Sequence, residues 1–235
     1  MAVAHIAAYS AAMTEAETRL ADVCAAIAKA AKTAGRPAEA TTLIAVSKTR
    51  TAEEIAPLVA AGQRDFGENR VQEAQGKWPA LIAEAAADSG GIVLHLVGQL
   101  QSNKAAEAVA LFDVIHSVDR PSLVTALAKA QAATGKHPAC YLQVNIGDET
   151  QKGGCALVDL PALLSQARDA GLDVVGLMCV PPADVEPAPY FALLAEHAKR
   201  LGLTGLSMGM SSDYETAALL GSTAVRVGSA LFGSR

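Results

Sequence analysis

Short apolar runs alternate with longer stretches of helical spacing along most of this chain. Residues 11–34 are alanine-rich and carry Leu20, Val23, Ile27 and Ala31 at helical spacing. That pattern predicts a long amphipathic helix, ended near Gly35-Arg36-Pro37. Strand-like runs follow at 42–47, 64–67, 92–97, 114–118, 139–146, 174–178, 205–208 and 224–227. Helical segments separate them, among them 51–61, one beginning near Arg70, 102–111 and 121–134. Strands alternating with helices imply parallel βαβ units, and eight of them imply a (β/α)8 TIM barrel with an extra N-terminal helix. An open doubly wound sheet is the competing architecture. The polar, glycine-rich stretch 147–155 reads as a mobile loop on the rim.

Composition narrows the class. A chain of 235 residues that is 51% apolar and 18% charged can build one large core, so residues 1–235 are expected to form a single domain. The net charge of −5 and the absence of a basic cluster argue against nucleic-acid and anionic-membrane partners. No apolar run approaches the ~18 residues of a membrane span, and no basic segment precedes an apolar one at the N-terminus. The expected compartment is the cytoplasm. No heptad stands out, so a monomer is expected. Cys24, Cys140, Cys155 and Cys179 form no CxxC pair, and the histidines form no HExxH pattern, so neither a disulfide framework nor a metal site is expected.

The candidate chemistry gathers where strands end. Lys48 directly follows the first apolar run, and an amine there can form a Schiff base with a carbonyl group. Asn69 follows the second run, and Gln99, Ser102, Asn103 and Lys104 follow the third. His116 and Ser117 end the fourth, Asn145 the fifth, and Met178 and Cys179 the sixth. In a barrel these positions share the catalytic face. The last two runs lead into Met210-Ser211-Ser212 and Gly228-Ser229-Ala230. Both loops offer small hydroxyls and backbone N–H groups that can hold a phosphate without a lysine. Ordinary helix capping by the two serines is the plainer reading. A lysine and a phosphate cup together suit pyridoxal 5′-phosphate. Arg226 is then placed for its pyridine nitrogen, and because a guanidinium only donates, that nitrogen is unprotonated. The plainer role for Arg226 is a salt bridge with Glu68 or Asp213. Lys48 must be partly neutral to react, and burial beside Arg226 would favour that.

These residues sit in stretches that resemble a known family: Ala45-Val46-Ser47-Lys48-Thr49, Phe66-Gly67-Glu68-Asn69-Arg70-Val71-Gln72-Glu73, His95-Leu96-Val97-Gly98-Gln99, Leu206-Ser207-Met208-Gly209-Met210-Ser211 and Val225-Arg226-Val227-Gly228-Ser229. The chain resembles the pyridoxal phosphate homeostasis proteins, the YggS/PROSC family, from Thr42 to Gly233. The family often has Pro where Gln99 stands and a bulkier residue where Val227 stands. The resemblance implies a barrel like the N-terminal domain of alanine racemase, with pyridoxal phosphate held as a Schiff base on Lys48. It places Ser211, Gly228 and Ser229 around the phosphate, Arg226 at the pyridine nitrogen and Asn69 beside the ring, with Met210 also among the cofactor-binding residues. It implies a carrier or regulator of vitamin B6 cofactor, without an established reaction; a further reading is an interaction module that hands cofactor to apo-enzymes, with the loop 147–155 and Lys104 as candidate contacts. The chain stops at Arg235, soon after the eighth strand, which favours the carrier over a two-domain racemase. The alternative is a racemase or related Schiff-base amino-acid enzyme, with Lys48 as one base and His95 or a rim residue as the other.

Overall fold

The structure is a computed structural model that describes residues 13–87 and 91–233. It opens with helix α1, Glu15–Thr33, whose start is fixed by a reciprocal cap. The Glu17 N–H donates to Thr14 Oγ1 at 3.2 Å, and the Thr14 N–H donates to Glu17 Oε2 at 2.7 Å. The helix therefore begins later than the predicted residue 11, and residues 11 and 12 lie outside the described part. Leu20, Val23, Ile27 and Ala31 form its buried stripe, as their spacing requires.

Eight parallel strands then close into a barrel in sequence order. They are β1 (Thr42–Val46), β2 (Asp65–Glu68), β3 (Val93–Leu96), β4 (Val114–Val118), β5 (Ala139–Val144), β6 (Val174–Cys179), β7 (Gly205–Met210) and β8 (Ala224–Val227). Helices α2 (Ala52–Ala60), α3 (Val71–Ala87), α4 (Ala105–Leu111), α5 (Pro121–Thr134), α6 (Leu160–Asp169), α7 (Ala188–Arg200), α8 (Tyr214–Leu219) and α9 (Ser229–Phe232) cover it. The open sheet is thereby excluded: β1 pairs with β8, with Ile44 opposite Arg226. Among the described residues no helix is long and apolar enough to cross a membrane.

Alternate strand residues face the helices or the barrel interior. Phe66 and Trp78 meet outside the barrel with ring centroids 5.0 Å apart, both fully buried. Burying side chains of this size stabilises the fold by about 1.5–3 kcal/mol each. Inside, a Cβ on Gly67 would meet Ile44 and Val46 side chains at 3.0 and 3.3 Å, so this layer is full. Strand β5 ends two residues before the predicted limit because Asn145 folds its amide back onto the backbone N–H and carbonyl of Glu149. The stretch 147–155, expected to be mobile, is instead fastened. The Cys155 N–H donates to Gln143 O and the Asn145 N–H to Cys155 O, each at 2.9 Å. Lys152 reaches the Pro181 carbonyl at 2.8 Å.

Candidate functional site

A cavity of about 650 Å3 opens at the C-terminal ends of the strands. Lys48, Asn69, Met210, Ser211, Arg226, Gly228 and Ser229 all line it, so the seven residues singled out in the sequence are brought together. Gln99 and Lys104 are not among its lining residues. Gln99 is paired with Gln143, and Lys104 forms an ion pair with Glu107 at 3.2 Å.

Lys48 stands in the tight turn after β1. The turn needs a left-handed residue, and Thr49 supplies it with φ of 64°. An unstrained threonine avoids this region, so the neighbours must hold it. Lys77 of α3 does so, donating to the carbonyls of Ser47 and Arg50 at 2.8 and 3.0 Å. Glu73 accepts from the Thr49 N–H. Fully buried Glu68 accepts from the Ser47 hydroxyl at 2.6 Å and the Trp78 indole at 2.9 Å, and pairs with Lys77 at 2.9 Å. Lys48 itself is exposed, which corrects the expectation of burial beside Arg226. Among the described residues its side chain has no hydrogen bond or ion pair, so the amine is free to meet a ligand.

Arg226 is buried, and among the described residues its guanidinium forms no salt bridge. Glu68 is taken by Lys77, and Asp213 accepts from the Met210 N–H at 2.6 Å. Arg226 donates instead to Ser207 Oγ at 2.6 Å and to the Cys179 carbonyl at 2.8 Å. Burial lowers its pKa, against the opposing pull of Cys179 and Asp213. Behind it a file of hydrogen bonds crosses the barrel, from Ser207 to His116 (2.8 Å), to His95 (3.0 Å) and to Asp65 (3.0 Å). His95 is thus held inside the barrel and does not line the cavity.

The loops after β7 and β8 meet where the Gly228 N–H donates to Ser211 Oγ at 3.1 Å. Gly209, with φ of 95°, turns the chain here, and a Cβ on it would lie 2.5 Å from that of Ala217. Ser229 is exposed at the start of α9. Asn69 is placed by an equally close approach. A Cβ on Gly98 would lie 2.3 Å from the Asn69 carbonyl oxygen, so only glycine allows this packing.

Reading strand ends could not find every residue of the site. Arg50 also lines the cavity, its guanidinium stacked 5.6 Å from the Phe232 ring and bonded to the Gly233 carbonyl at 3.0 Å. Its place two residues after Lys48 was the available signal. The Glu73–Lys77 pair was legible as helical i,i+4 spacing, but nothing in that spacing says it clamps a loop.

Among known proteins, residues 20–235 match the family described as alanine racemase, N-terminal domain. The pyridoxal phosphate homeostasis protein of Pseudomonas aeruginosa is 41% identical over 222 residues, covering 92% of this chain and 94% of that one. That of Escherichia coli is 36% identical over 232 residues, covering 95% and 98%. The structure of PipY from Synechococcus elongatus with PLP bound has a TM-score of 0.79 and 38% identity, covering 93% of this chain and all of that one. Alanine racemase of Clostridium difficile, at 12% identity and a TM-score of 0.64, shares the barrel fold, and this chain covers 57% of it. With relatives this similar over nearly its whole length, the chain belongs to the pyridoxal phosphate homeostasis protein family.

Proposed function

We propose that this chain binds pyridoxal 5′-phosphate covalently through Lys48 and serves as a carrier or regulator of that cofactor. It works in the cytoplasm as a single-domain monomer and delivers cofactor to apo-enzymes. The observation that carries the reading is the convergence of a free amine, a buried guanidinium and two serine–glycine loops on one cavity. This donor set fits a ligand that has an aldehyde, a pyridine nitrogen and a phosphate. When bound, the cofactor supplies the carbonyl with which a lysine amine condenses. Ser211, Gly228 and Ser229 hold the phosphate through hydroxyl and backbone N–H groups. Arg226 donates to an unprotonated ring nitrogen, and Asn69 and Met210 flank the ring. The exposed position of Lys48 leaves its amine within reach of water and incoming amines, as release requires.

The racemase alternative asks His95 or a rim residue to act as a second base, and His95 is the one named candidate. Its two ring nitrogens are engaged by His116 and Asp65 in the barrel interior, which counts against that role.

The test is an absorption spectrum of the purified protein with added cofactor, before and after borohydride, beside Lys48→Ala. A visible band lost on reduction, with a stable adduct at residue 48, supports the reading. A colourless protein that takes up no cofactor overturns it. Racemisation by the wild type that is abolished in Lys48→Ala would restore the enzyme alternative.

A further inference from the structure

One link in the file of hydrogen bonds behind Arg226, Ser207 to His116, joins β7 to β4, which are not neighbours, so the file passes through the barrel interior. Ser207 and His116 are fully buried, His95 is 6% exposed, and the Asp65 side chain is 29% exposed at the N-terminal end of β2. The file therefore runs from the cavity to the opposite mouth. Tyr141 stacks on His116 at 4.5 Å and fixes the plane of its ring.

Both ends dictate the direction of the hydrogens. A guanidinium only donates, so Ser207 accepts from Arg226. A carboxylate only accepts, so His95 carries a hydrogen on Nε2 for Asp65. Two arrangements that keep the buried His116 ring neutral satisfy those ends. In the first, Ser207 donates to His116 Nδ1 and His116 Nε2–H donates to His95 Nδ1. Both rings are then neutral Nε2–H tautomers, and every hydrogen has an acceptor. In the second, one more proton sits on His95, His116 carries its hydrogen on Nδ1, and Ser207 accepts twice. The Ser207 hydroxyl hydrogen is then left without an acceptor, since Arg226 and His116 are its hydrogen-bond partners. A buried orphan of that kind costs about 1–3 kcal/mol. Burial, and the neighbouring His95 and Arg226, also lower the pKa of His116, in accord with a neutral ring.

We propose that Asp65, His95, His116 and Ser207 are positioning residues that lock Arg226 as the fixed donor to an unprotonated aromatic ring nitrogen. Through them the cavity responds to the side chain at Asp65, at the far mouth of the barrel. The inference rests on the reading of the Lys48 cavity as the cofactor site. Asp65 touches no part of that cavity and is partly exposed, so it can be changed without altering any residue that lines the cavity.

The experiment uses the full chain as wild type, Asp65→Asn and Asp65→Leu. Histidine ¹⁵N NMR of the unloaded proteins reads the tautomers. Titration with pyridoxal 5′-phosphate and with its carbocyclic analogue, which lacks the ring nitrogen, reads the coupling. The expected result is Nε2–H at both histidines in the wild type, kept in Asp65→Asn, whose amide oxygen still accepts. Asp65→Leu then changes the tautomers and weakens pyridoxal phosphate roughly tenfold, a charge-assisted hydrogen bond's worth, with little effect on the analogue. A hydrogen on His116 Nδ1 in the wild type overturns the proposal. So does an Asp65→Leu protein with unchanged tautomers and affinity, or one that loses both ligands equally. If the wild type takes up neither ligand, the cofactor reading fails, and the histidine signals alone decide whether the file exists.

Discussion

The ammonium of Lys77 lies 2.8 Å from the carbonyl oxygen of Ser47, the residue before Lys48. The same ammonium neutralises Glu68, whose carboxylate is fully buried. Helix α3 therefore grips the turn that carries Lys48. Lys77→Met would strand Glu68 without a cation, at a cost of about 3–5 kcal/mol. Replacing both partners, as Lys77→Met with Glu68→Gln, should recover part of that loss, because no uncompensated charge remains. Urea unfolding of the three proteins checks this. A single variant within about 0.5 kcal/mol of wild type would show that the clamp is not holding the loop.

Gly98→Ala is expected to disturb the cavity from outside it. The new Cβ would meet the Asn69 carbonyl at 2.3 Å and its Cα at 2.7 Å, both backbone atoms that cannot swing aside. Overpacking of this kind costs about 1–3 kcal/mol. The variant should melt earlier and bind cofactor more weakly, read by a thermal scan and a spectroscopic titration. Unchanged binding would mean that Asn69 is not needed at its present position.

Stability should fall as the solution is acidified below neutrality. Burial, with His95 and Arg226 nearby, holds His116 well below its ordinary value of 6.5. The unfolded chain therefore takes up a proton near pH 6.5 that the folded chain refuses. The contribution is complete above that pH and is lost as the pH falls below it. Urea midpoints between pH 7.5 and 5.5 should decline, and His116→Gln should flatten the decline while lowering the midpoint throughout. An equal slope in both proteins would assign the loss to other groups.

Thiol reactivity should separate the cysteines. Cys140, Cys155 and Cys179 are buried, and their pKa values are pushed up to about 12, chiefly by burial. Cys24 is exposed, although partial burial of its thiol raises its pKa as well. A chromogenic disulfide reagent at pH 8 should modify Cys24 first in the native protein and all four in denaturant. Rapid reaction of more than one native thiol would contradict the packing around β5 and β6.

Much of this fold was legible because each strand is a short apolar run and each helix carries its own stripe. Strands β4 and β8 match the predicted limits, while β7 extends two residues further, through Met210. The cavity residues were legible because a closed parallel barrel puts every strand end on one face. What the sequence could not show is contact between distant segments. His116 read as a strand-end residue, yet it lies inside the barrel, bonded to Ser207 across the interior. Lys77 falls on helix α3, yet its side chain is only 10% exposed, beneath the Lys48 turn. No local pattern encodes either partnership, since each depends on how the ring closes.

That closure has a temporal consequence. Lys48 hangs from β1, whereas Ser211, Arg226, Gly228 and Ser229 hang from β7 and β8, and the pairing of β1 with β8 makes these ends neighbours. This pairing spans the greatest sequence separation of any in the barrel, so it demands the largest loop-closure entropy. A growing chain on the ribosome can shape most of its strands before β8 emerges, but it cannot yet assemble the cavity. Ligand capture thus becomes available only when synthesis has reached the eighth strand, and a bound ligand would then hold the two ends of the chain together like a clasp.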